Sequence, residues 1–428
     1  MDRLPLRLMK GAAGVVLGLA ALYGYKAAMY RRSVRNRLVI DAPPAPGSEA
    51  FSQLMEAATG APVRLGNRVT VLRNGVALAG MLDVIAGATE TIDLSSYIFW
   101  PGETADRFID ALGERARAGV EVNLVVDGYG SAKLDKDHRE RLVRSGVNLS
   151  VFRPPRWYNL GKVNNRMHRR ILVVDGRIGF AGGVGIAEVW TGDAEDSAHW
   201  RETHLRIEGP ALRDLFGAFL ENWSEATGEL LVGRHLAGEE QFDDGVAVQV
   251  MRSTPTGAHT AVSQMFYAAI AGAQKRLWVT TAYFAPDKAF EEVLCDAARR
   301  GVDVRILVNG QKIDKEIARQ ASHRSYGKLL EAGARLFEYE RTMLHAKVLL
   351  VDDHWANVGS SNFDARSFDH DPELNVALPD SPRLMAELEG DFLEDLEASK
   401  EFELETWKKR PLRLRAAECV AGLGRQSF

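Results

Sequence analysis

The chain contains 428 residues, of which 46% are hydrophobic and 26% charged, a composition typical of globular proteins. Its length allows two domains of ordinary size, and its formal net charge of −4 disfavours a general nucleic-acid-binding surface. The two cysteines, Cys295 and Cys419, are too few for a disulfide framework.

The N-terminal segment is unusually apolar. Gly11 to Tyr25 carry no charge, and Lys26 could reach back to the interface and lengthen the apolar run to about twenty residues. More basic residues follow this run than precede it, which favours an uncleaved membrane anchor with a cytoplasmic body. A soluble helix packed on the body is the alternative, and a cleaved signal peptide lacks a clear cleavage site. Residues 41–48 are Pro-rich, so residues 1–48 are predicted to be the anchor and its linker.

After the linker, one order of predicted elements occurs twice. Strand, helix and strand are predicted at 91–99, 104–118 and 119–127, and again at 277–284, around the apolar stripe of 290–297, and at 301–309, with further strands at 146–152 and 333–339. The pattern predicts an α/β protein with two similar halves, residues 49–235 and 236–410, each a mostly parallel sheet flanked by helices. The duplication predicts a pseudo-twofold arrangement with the active site at its seam.

Each half also contains one copy of a motif of the form H-x-[K/R]-x4-D, at residues 168–175 and 345–352. A Gly-rich turn begins fourteen residues after each His, at 182–185 and 359–362. Since residues i and i+2 of a strand share a face, each His is predicted to lie beside its cation. A single His next to a strand is more often structural than catalytic, but two matching copies make chance a poor explanation.

Paired imidazoles with paired cations suit attack on a phosphodiester. One imidazole can attack phosphorus and the other can protonate the leaving oxygen, while Arg170 and Lys347 hold the phosphate oxygens. The chain shows no clustered carboxylates and no Cys/His spacing of a metal site, so no metal or other cofactor is predicted.

The doubled motif resembles that of the phospholipase D superfamily and, within it, the bacterial cardiolipin synthases. The resemblance covers residues 65–410 and is carried mainly by the run MHRRILVVDGRIGFAGGVGIAEVW from Met167 and the run LHAKVLLVDDHWANVGSSNFDARSFDHDPELNV from Leu344. It implies that one His becomes a phosphohistidine and the other acts as general acid and then base. By this resemblance His168 is expected to be the nucleophile and His345 the acid/base, although the residues alone leave the assignment open.

The resemblance further implies a glutamate that hydrogen-bonds each catalytic His and fixes its tautomer. Glu373 lies 28 residues after His345 and is expected to pair with it, and Glu202 is the best match for His168.

The resemblance also places the remaining motif residues. Asp175 and Asp352 belong to the catalytic set, yet both are expected to have a structural role at the far end of the strand. Asn362 and, by analogy, Ser360 are expected to donate hydrogen bonds to phosphate.

Two positions depart from the family pattern. Arg170 stands where the family usually has Lys; it keeps the charge and can grip phosphate through two hydrogen bonds, but its reach differs. Gly185 stands where the second turn has Asn362, so the first half offers fewer polar groups. Both His are present, so an inactive site is not expected, whereas a changed rate or substrate preference is possible.

Two further segments are candidates for membrane contact. The loop of residues 153–166 has four cations, no acids and a Trp-Tyr pair, which suits a rim that meets anionic lipid head groups with Trp157 at the interface. A solvated loop is the alternative. The tail from Trp407, including residues 411–428, reads either as a basic amphipathic segment on anionic lipid or as a plain solvated terminus.

The expected activity is therefore phosphatidyl transfer between two phosphatidylglycerol molecules, which gives cardiolipin and glycerol at the bacterial cell membrane. The predicted partners are phospholipids and the membrane, with no nucleic acid. Alternatives are a hydrolytic phospholipase D, a nuclease of the same superfamily, and a membrane-anchored scaffold without turnover. The acidic composition and the predicted anchor disfavour the nuclease, and the intact pair of His disfavours the scaffold.

Overall fold

The structure is a computed structural model that describes residues 38–155, 165–236, 240–255 and 259–411, together with Gly18 and Gly238. From Ile40 onward the chain forms one compact unit. Apart from Gly18, the predicted anchor at Gly11–Tyr25 lies outside the described residues, as does the tail beyond residue 411. Within the described ranges, no helix is both long and apolar enough to cross a membrane.

The first half contributes the strands β1 (Val63–Arg73), β2 (Thr91–Ser96), β3 (Glu121–Asp127), β4 (Asn148–Phe152), β5 (Ile171–Val174), β6 (Ile178–Gly182) and β7 (Thr203–Glu208). The second half contributes β8 (Val246–Ser253), β9 (Arg276–Thr280), β10 (Phe284–Ala285), β11 (Asp303–Asn309), β12 (Arg335–Tyr339), β13 (Val348–Val351), β14 (Trp355–Gly359), β15 (Phe363–Asp364), β16 (Glu373–Pro379) and β17 (Ser399–Glu401). The α-helices are α1 (Glu49–Thr59), α2 (Val76–Ala86), α3 (Glu103–Arg117), α4 (Lys136–Arg144), α5 (Leu212–Thr227), α6 (Ala261–Gly272), α7 (Lys288–Arg299), α8 (Glu316–Ala332), α9 (Ala365–Asp369), α10 (Pro382–Glu397) and α11 (Leu404–Lys408).

All the described strands except β10 and β15 form one continuous sheet with mirrored halves, and β10 and β15 pair with each other in a separate two-stranded sheet. Its order is β17-β12-β11-β9-β13-β14-β16-β8-β1-β7-β6-β5-β2-β3-β4. The strands β8 and β1 meet at the centre, the seven strands from β8 to β12 mirror the seven from β1 to β4, and β17 extends the edge beyond β12. The predicted α/β class and the predicted duplication are therefore confirmed. The halves share one sheet because β1 and β8 pair with each other in antiparallel orientation.

The prediction of a mostly parallel sheet is wrong, because most neighbouring strands of the sheet pair in antiparallel orientation. Within the described sheet, parallel pairing is limited to β2-β3-β4 and β9-β11-β12. Those strands are separated in sequence by crossover helices, which parallel pairing requires, whereas β5-β6 and β13-β14 are joined by tight turns that force antiparallel pairing.

Both apolar motif strands lie in the core, as predicted. All four residues of β5 and all four of β13 are buried, and the helix stripe of Phe290, Val293, Leu294 and Ala297 is buried on α7. Each motif strand is therefore held between a neighbouring strand on either side and packed layers above and below. This burial gives the residues just before β5 and β13 a fixed position.

Candidate active site

One cavity of about 410 Å³ brings the two motifs together, because both His168 and His345 line it. The predicted shared site at the seam is thus present in the geometry. Neither His lies in a strand, however, since β5 begins at Ile171 and β13 at Val348. Each motif His and its cation occupy the segment just before the strand, and His168, Arg170 and His345 line the cavity from there.

Backbone hydrogen bonds between the halves fix both His. The His168 amide donates to the carbonyl oxygen of Pro372 at 3.0 Å, and the His345 amide donates to that of Arg201 at 2.7 Å. Each His is therefore held by the segment that leads into a strand of the opposite half.

The His–Glu pairs are crossed between the halves. His168 Nδ1 lies 2.9 and 3.1 Å from the carboxylate oxygens of Glu373, and His345 Nδ1 makes a short hydrogen bond with Glu202. The predicted pairing of Glu373 with His345 and of Glu202 with His168 is wrong. Within one half the motif strand and the Glu strand are separated by an intervening strand, whereas the seam brings each Glu against the opposite His.

The hydrogen bonds and burial of both His favour the neutral ring with its proton on Nδ1. Burial and then the charge of Arg170 lower the pKa of His168 well below its ordinary value. Burial and then Lys347 lower the pKa of His345 to about 3. A glutamate in its ionised form can only accept, so the Nδ1 beside it carries the proton and the Nε2 of that His keeps a lone pair.

The two glutamates differ in charge state. Burial raises the pKa of Glu373 to about 7, although the hydrogen bond from Ser360 opposes this shift. Burial also acts to raise the pKa of Glu202, but the charge of Lys347 and the interaction with His345 outweigh it and leave that pKa lowered. The carboxylate beside His345 is thus the more firmly ionised of the two.

The motif cations lie next to their own His. Arg170 donates to the carbonyl oxygen of His168 at 2.6 Å, and its Nη2 lies 3.2 Å from His168 Nε2. Lys347 donates to the carbonyl oxygen of His345. Burial lowers the pKa of Lys347 to about 7, so this ammonium is poised to gain stability from an arriving phosphate anion.

The motif aspartates have a structural role, as expected, and do not belong among the catalytic residues. Asp175 accepts the backbone N–H groups of Thr89, Glu90 and Thr91 at the start of β2. Asp352 does the same at the start of β9, where it accepts those of residues 274–276. Both have a positive φ of 51°, which lets the chain turn back after the motif strand.

The two Gly-rich turns differ in the side chains that they place near the site. Ser360 donates to the Glu373 carboxylate and does not line the cavity, so the expectation that it binds phosphate is wrong. At Gly183, its counterpart in the first turn, a Cβ would collide with the Glu202 carboxylate. Asn362 does line the cavity, and its buried Oδ1 has no hydrogen-bond partner among the described residues.

Aromatic rings enclose each imidazole, and the motif analysis did not identify them. Tyr97 packs edge-on against His168 at 5.0 Å between ring centroids, and Trp190 and Trp200 each lie 5.4 Å from the His345 ring. Trp190 occupies the space that Gly185 leaves open, since a Cβ there would lie 2.7 Å from the Trp190 ring. In the sequence, the occurrence of Trp190 and Trp200 shortly before Glu202 could have indicated an aromatic wall at the site.

A buried charge cluster beside His168 was also missed. Asp371 accepts the Arg166 amide at 2.9 Å and pairs with Arg366 at 3.1 Å. Asp127, at the end of β3, accepts the Met167 amide at 2.8 Å. These carboxylates position the backbone immediately before His168, and the acidic residues that supply them lie in the runs already quoted for the second motif and for the strand of residues 119–127.

The candidate membrane segments are only partly described. Pro155 and Arg166, near the two ends of the basic loop, line the cavity, while Trp157 lies outside the described residues. Trp407 is buried and packs 5.1 Å from the Tyr326 ring, so it belongs to the body and not to an exposed tail.

Comparison with known proteins identifies the family to which this chain belongs. Residues 81–210 and 266–396 match the family model described as "Cardiolipin synthase, PLD-like domain". The chain is 37% identical to a cardiolipin synthase of Geobacillus sp. (strain WCH70) over 368 residues, which cover 85% of this chain and 72% of that protein. It is 36% identical to the cardiolipin synthase of Geobacillus thermodenitrificans (strain NG80-2) over the same share of each chain.

Solved structures support the fold. The phosphatidylserine synthase of Haemophilus influenzae Rd KW20 aligns over 87% of this chain and 100% of its own, with a TM-score of 0.66 and 13% identity. The polyphosphate kinase of Porphyromonas gingivalis aligns over 92% of this chain and 56% of its own, with a TM-score of 0.52 and 13% identity. At these identities the likeness concerns the fold alone.

Proposed function

The chain belongs to the cardiolipin synthase family of phospholipase D-like proteins, and from that premise we propose that it transfers a phosphatidyl group between two phosphatidylglycerol molecules. The products are cardiolipin and glycerol. The observation that carries the proposal is the pair of buried imidazoles in one cavity, each with a carboxylate on Nδ1.

In the first step, His168 Nε2 attacks phosphorus and the bond to the glycerol oxygen breaks. An anionic phosphate that binds beside Lys347 offsets the charge repulsion that helps to lower the pKa of His345, so that His345 takes up a proton on Nε2 and gives it to the leaving oxygen. The ionised Glu202 beside it stabilises the imidazolium form, and this favours His345 as the acid and His168 as the nucleophile.

In the second step, a hydroxyl group of a second phosphatidylglycerol attacks the phosphohistidine. His345 removes its proton, the new O–P bond forms, and the P–N bond to His168 breaks. Arg170 and Lys347 stabilise the negative charge that grows on the non-bridging oxygens in both steps. Asn362 also lines the cavity, and its amide group can donate a hydrogen bond to the phosphate.

Transfer to a lipid hydroxyl is favoured over transfer to water by the surroundings of the base. Both imidazoles are buried, and the rings of Trp190 and Trp200 cover His345. A hydrolytic phospholipase D would use the same residues, so hydrolysis is the second candidate reaction.

The proposed location is the bacterial cell membrane, where the lipid substrates reside. Its support is the uncharged run Gly11–Tyr25 with basic flanks, which would keep the cytoplasmic body close to lipid. The basic residue Arg166 at the cavity would then face anionic head groups.

The test is incubation of the purified protein with head-group-labelled phosphatidylglycerol, followed by separation of the products. Cardiolipin with glycerol is expected; phosphatidic acid with glycerol would indicate the hydrolase, and no turnover would indicate a scaffold. His168→Ala and His345→Ala are each expected to remove nearly all turnover with an unchanged circular dichroism spectrum. Full activity in either variant would contradict the shared site.

A further inference from the structure

Asp314 is an unusual residue in the cavity wall. The cations that line the cavity are Lys133, Arg166, Arg170, Lys315 and Arg366. The carboxylates that line it are Asp314, Asp364 and Asp371. Asp364 and Asp371 are buried, and burial raises their pKa values to about 6 and 8, whereas Asp314 is exposed. An exposed carboxylate repels the anionic phosphodiester. Asp314 is therefore suited to contact a part of the substrate other than the phosphate.

In the internal duplication, Asp314 corresponds to a helix-capping residue but does not cap its own helix. The run Lys312-Ile313-Asp314-Lys315 before α8 resembles the run Lys133-Leu134-Asp135-Lys136 at the start of α4. Asp135 caps α4 by accepting the His138 amide at 3.1 Å. In the second half α8 begins at Glu316 with Lys315 as its N-cap residue and has no side-chain cap, although Asp314 directly precedes Lys315.

The Asp314 carboxylate turns toward the cavity instead. Its Oδ1 accepts the hydroxyl group of Tyr283 at 2.6 Å, and among the described residues Oδ2 has no hydrogen-bond or ion-pair partner. Lys315 lies over the Tyr283 ring at 5.3 Å and helps to hold it. Asn309 donates to the carbonyl oxygens of both Ala282 and Leu344, at 2.8 and 2.6 Å, so the segment that carries Tyr283 lies beside the segment that carries His345.

We propose that Asp314 and Tyr283 bind the free hydroxyl groups of the glycerol head group of phosphatidylglycerol, on the side of the cavity that contains His345. A carboxylate oxygen without a protein partner accepts hydrogen bonds from hydroxyl groups, and the phenol oxygen of Tyr283 can accept another. The inference rests on the proposed function and assigns these residues to substrate selection.

One subsite serves both steps. In the first step the departing glycerol oxygen takes its proton from His345, and in the second step an acceptor glycerol hydroxyl returns a proton to the same imidazole. The glycerol group must therefore occupy one place in both directions, and Asp314 contacts the hydroxyl groups that do not react. A substrate that has neither these hydroxyl groups nor a cationic group gains nothing from Asp314.

The experiment compares wild type with Asp314→Asn and Tyr283→Phe in two assays. Cardiolipin formation from phosphatidylglycerol is expected to show a KM raised roughly tenfold in Asp314→Asn, the loss expected for a hydrogen bond to a charged group. Hydrolysis of bis(p-nitrophenyl) phosphate, which has no glycerol, is expected to stay within twofold in both variants. Added glycerol should inhibit this hydrolysis in wild type and inhibit it roughly tenfold more weakly in Asp314→Asn.

Asp135→Asn is the matched control, because it changes the equivalent position of the first half outside the cavity. Equal KM values in the two Asp variants, or unchanged inhibition by glycerol in Asp314→Asn, would overturn the proposal. A parallel loss of both reactions in Asp314→Asn and Tyr283→Phe would also overturn it, since it would indicate a structural role. If wild type hydrolyses the nitrophenyl ester but makes no cardiolipin, the proposed function fails, and glycerol inhibition still tests this subsite.

Discussion

Single residues make the two motif copies chemically unequal. In the second turn, Ser360 donates a hydrogen bond to the Glu373 carboxylate. In the first turn, the corresponding Gly183 has no side chain to donate, and the Glu202 carboxylate occupies the place where its Cβ would be. The motif spacing predicts the two His and two cations but not this difference. The role of a serine depends on whether its hydroxyl meets a carboxylate or a cavity, and that is decided by contacts between distant residues.

Replacing Ser360 by Ala is expected to change the pH dependence of the reaction. The free-enzyme kcat/KM should rise with pH as Glu373 loses its proton near pH 7 and fall as Lys347 loses its charge near pH 7. The Ser360 hydrogen bond stabilises the Glu373 carboxylate, so Ser360→Ala raises that pKa further and moves the acid limb to higher pH. Ser361→Ala is the control, because its hydroxyl contacts Asn375. An unmoved acid limb would exclude Glu373 as the group that titrates.

Arg170 offers a second test at the residue scale. Arg170→Lys should retain activity, since a cation remains beside His168, whereas Arg170→Ala should lose about 2–4 kcal/mol of transition-state stabilisation. The measurement is kcat/KM for both variants under the same lipid conditions. Activity of Arg170→Ala equal to wild type would show that this guanidinium does not act on the phosphate.

At the scale of elements, the sequence predicted the strands and helices well but not how the halves meet. The strands before each motif and the buried stripe of α7 follow from periodicity, because burial of one face is a local pattern. The crossed His–Glu pairs do not follow, because they depend on which strand ends approach at the seam. Chain spacing places Glu373 near His345, yet the sheet order places it near His168.

The helix α10 supports the site through a buried ion pair, and its loss should be costly. Arg201 Nε donates to Asp395 at 2.9 Å with both side chains buried, while the Arg201 carbonyl oxygen holds the His345 amide. Asp395→Ala leaves a buried guanidinium with a missing partner and should destabilise the fold by about 3–5 kcal/mol. The measurement is the free energy of unfolding, obtained from urea denaturation of wild type and variant. Glu394→Ala, which removes a half-exposed pair with Arg73, should cost less than about 1 kcal/mol, and a similar cost for both variants would contradict the argument.

At the scale of the whole molecule, the duplication explains why the site needs both halves. Each half supplies one His, one cation and the glutamate of the other half's His, so neither half contains a complete His–Glu pair. The continuous sheet through β8 and β1 holds these parts in register. The chain thus combines two similar units into one asymmetric site, with the asymmetry confined to a few side chains around the cavity.

We expect membrane attachment to be separable from this chemistry, and deletion of residues 1–37 tests that expectation. The uncharged run Gly11–Tyr25 lies in the deleted segment, whereas every residue of the candidate active site lies beyond residue 90 in the compact unit that begins at Ile40. The truncated protein is expected to leave the membrane fraction in part and to keep its activity on mixed micelles of detergent and phosphatidylglycerol. Membrane binding equal to that of the full chain would transfer the anchoring role to the basic loop of residues 153–166 or to the tail. Loss of micellar activity with an unchanged unfolding transition would mean that residues 1–37 help to form the site, because the body alone would then be folded but incomplete.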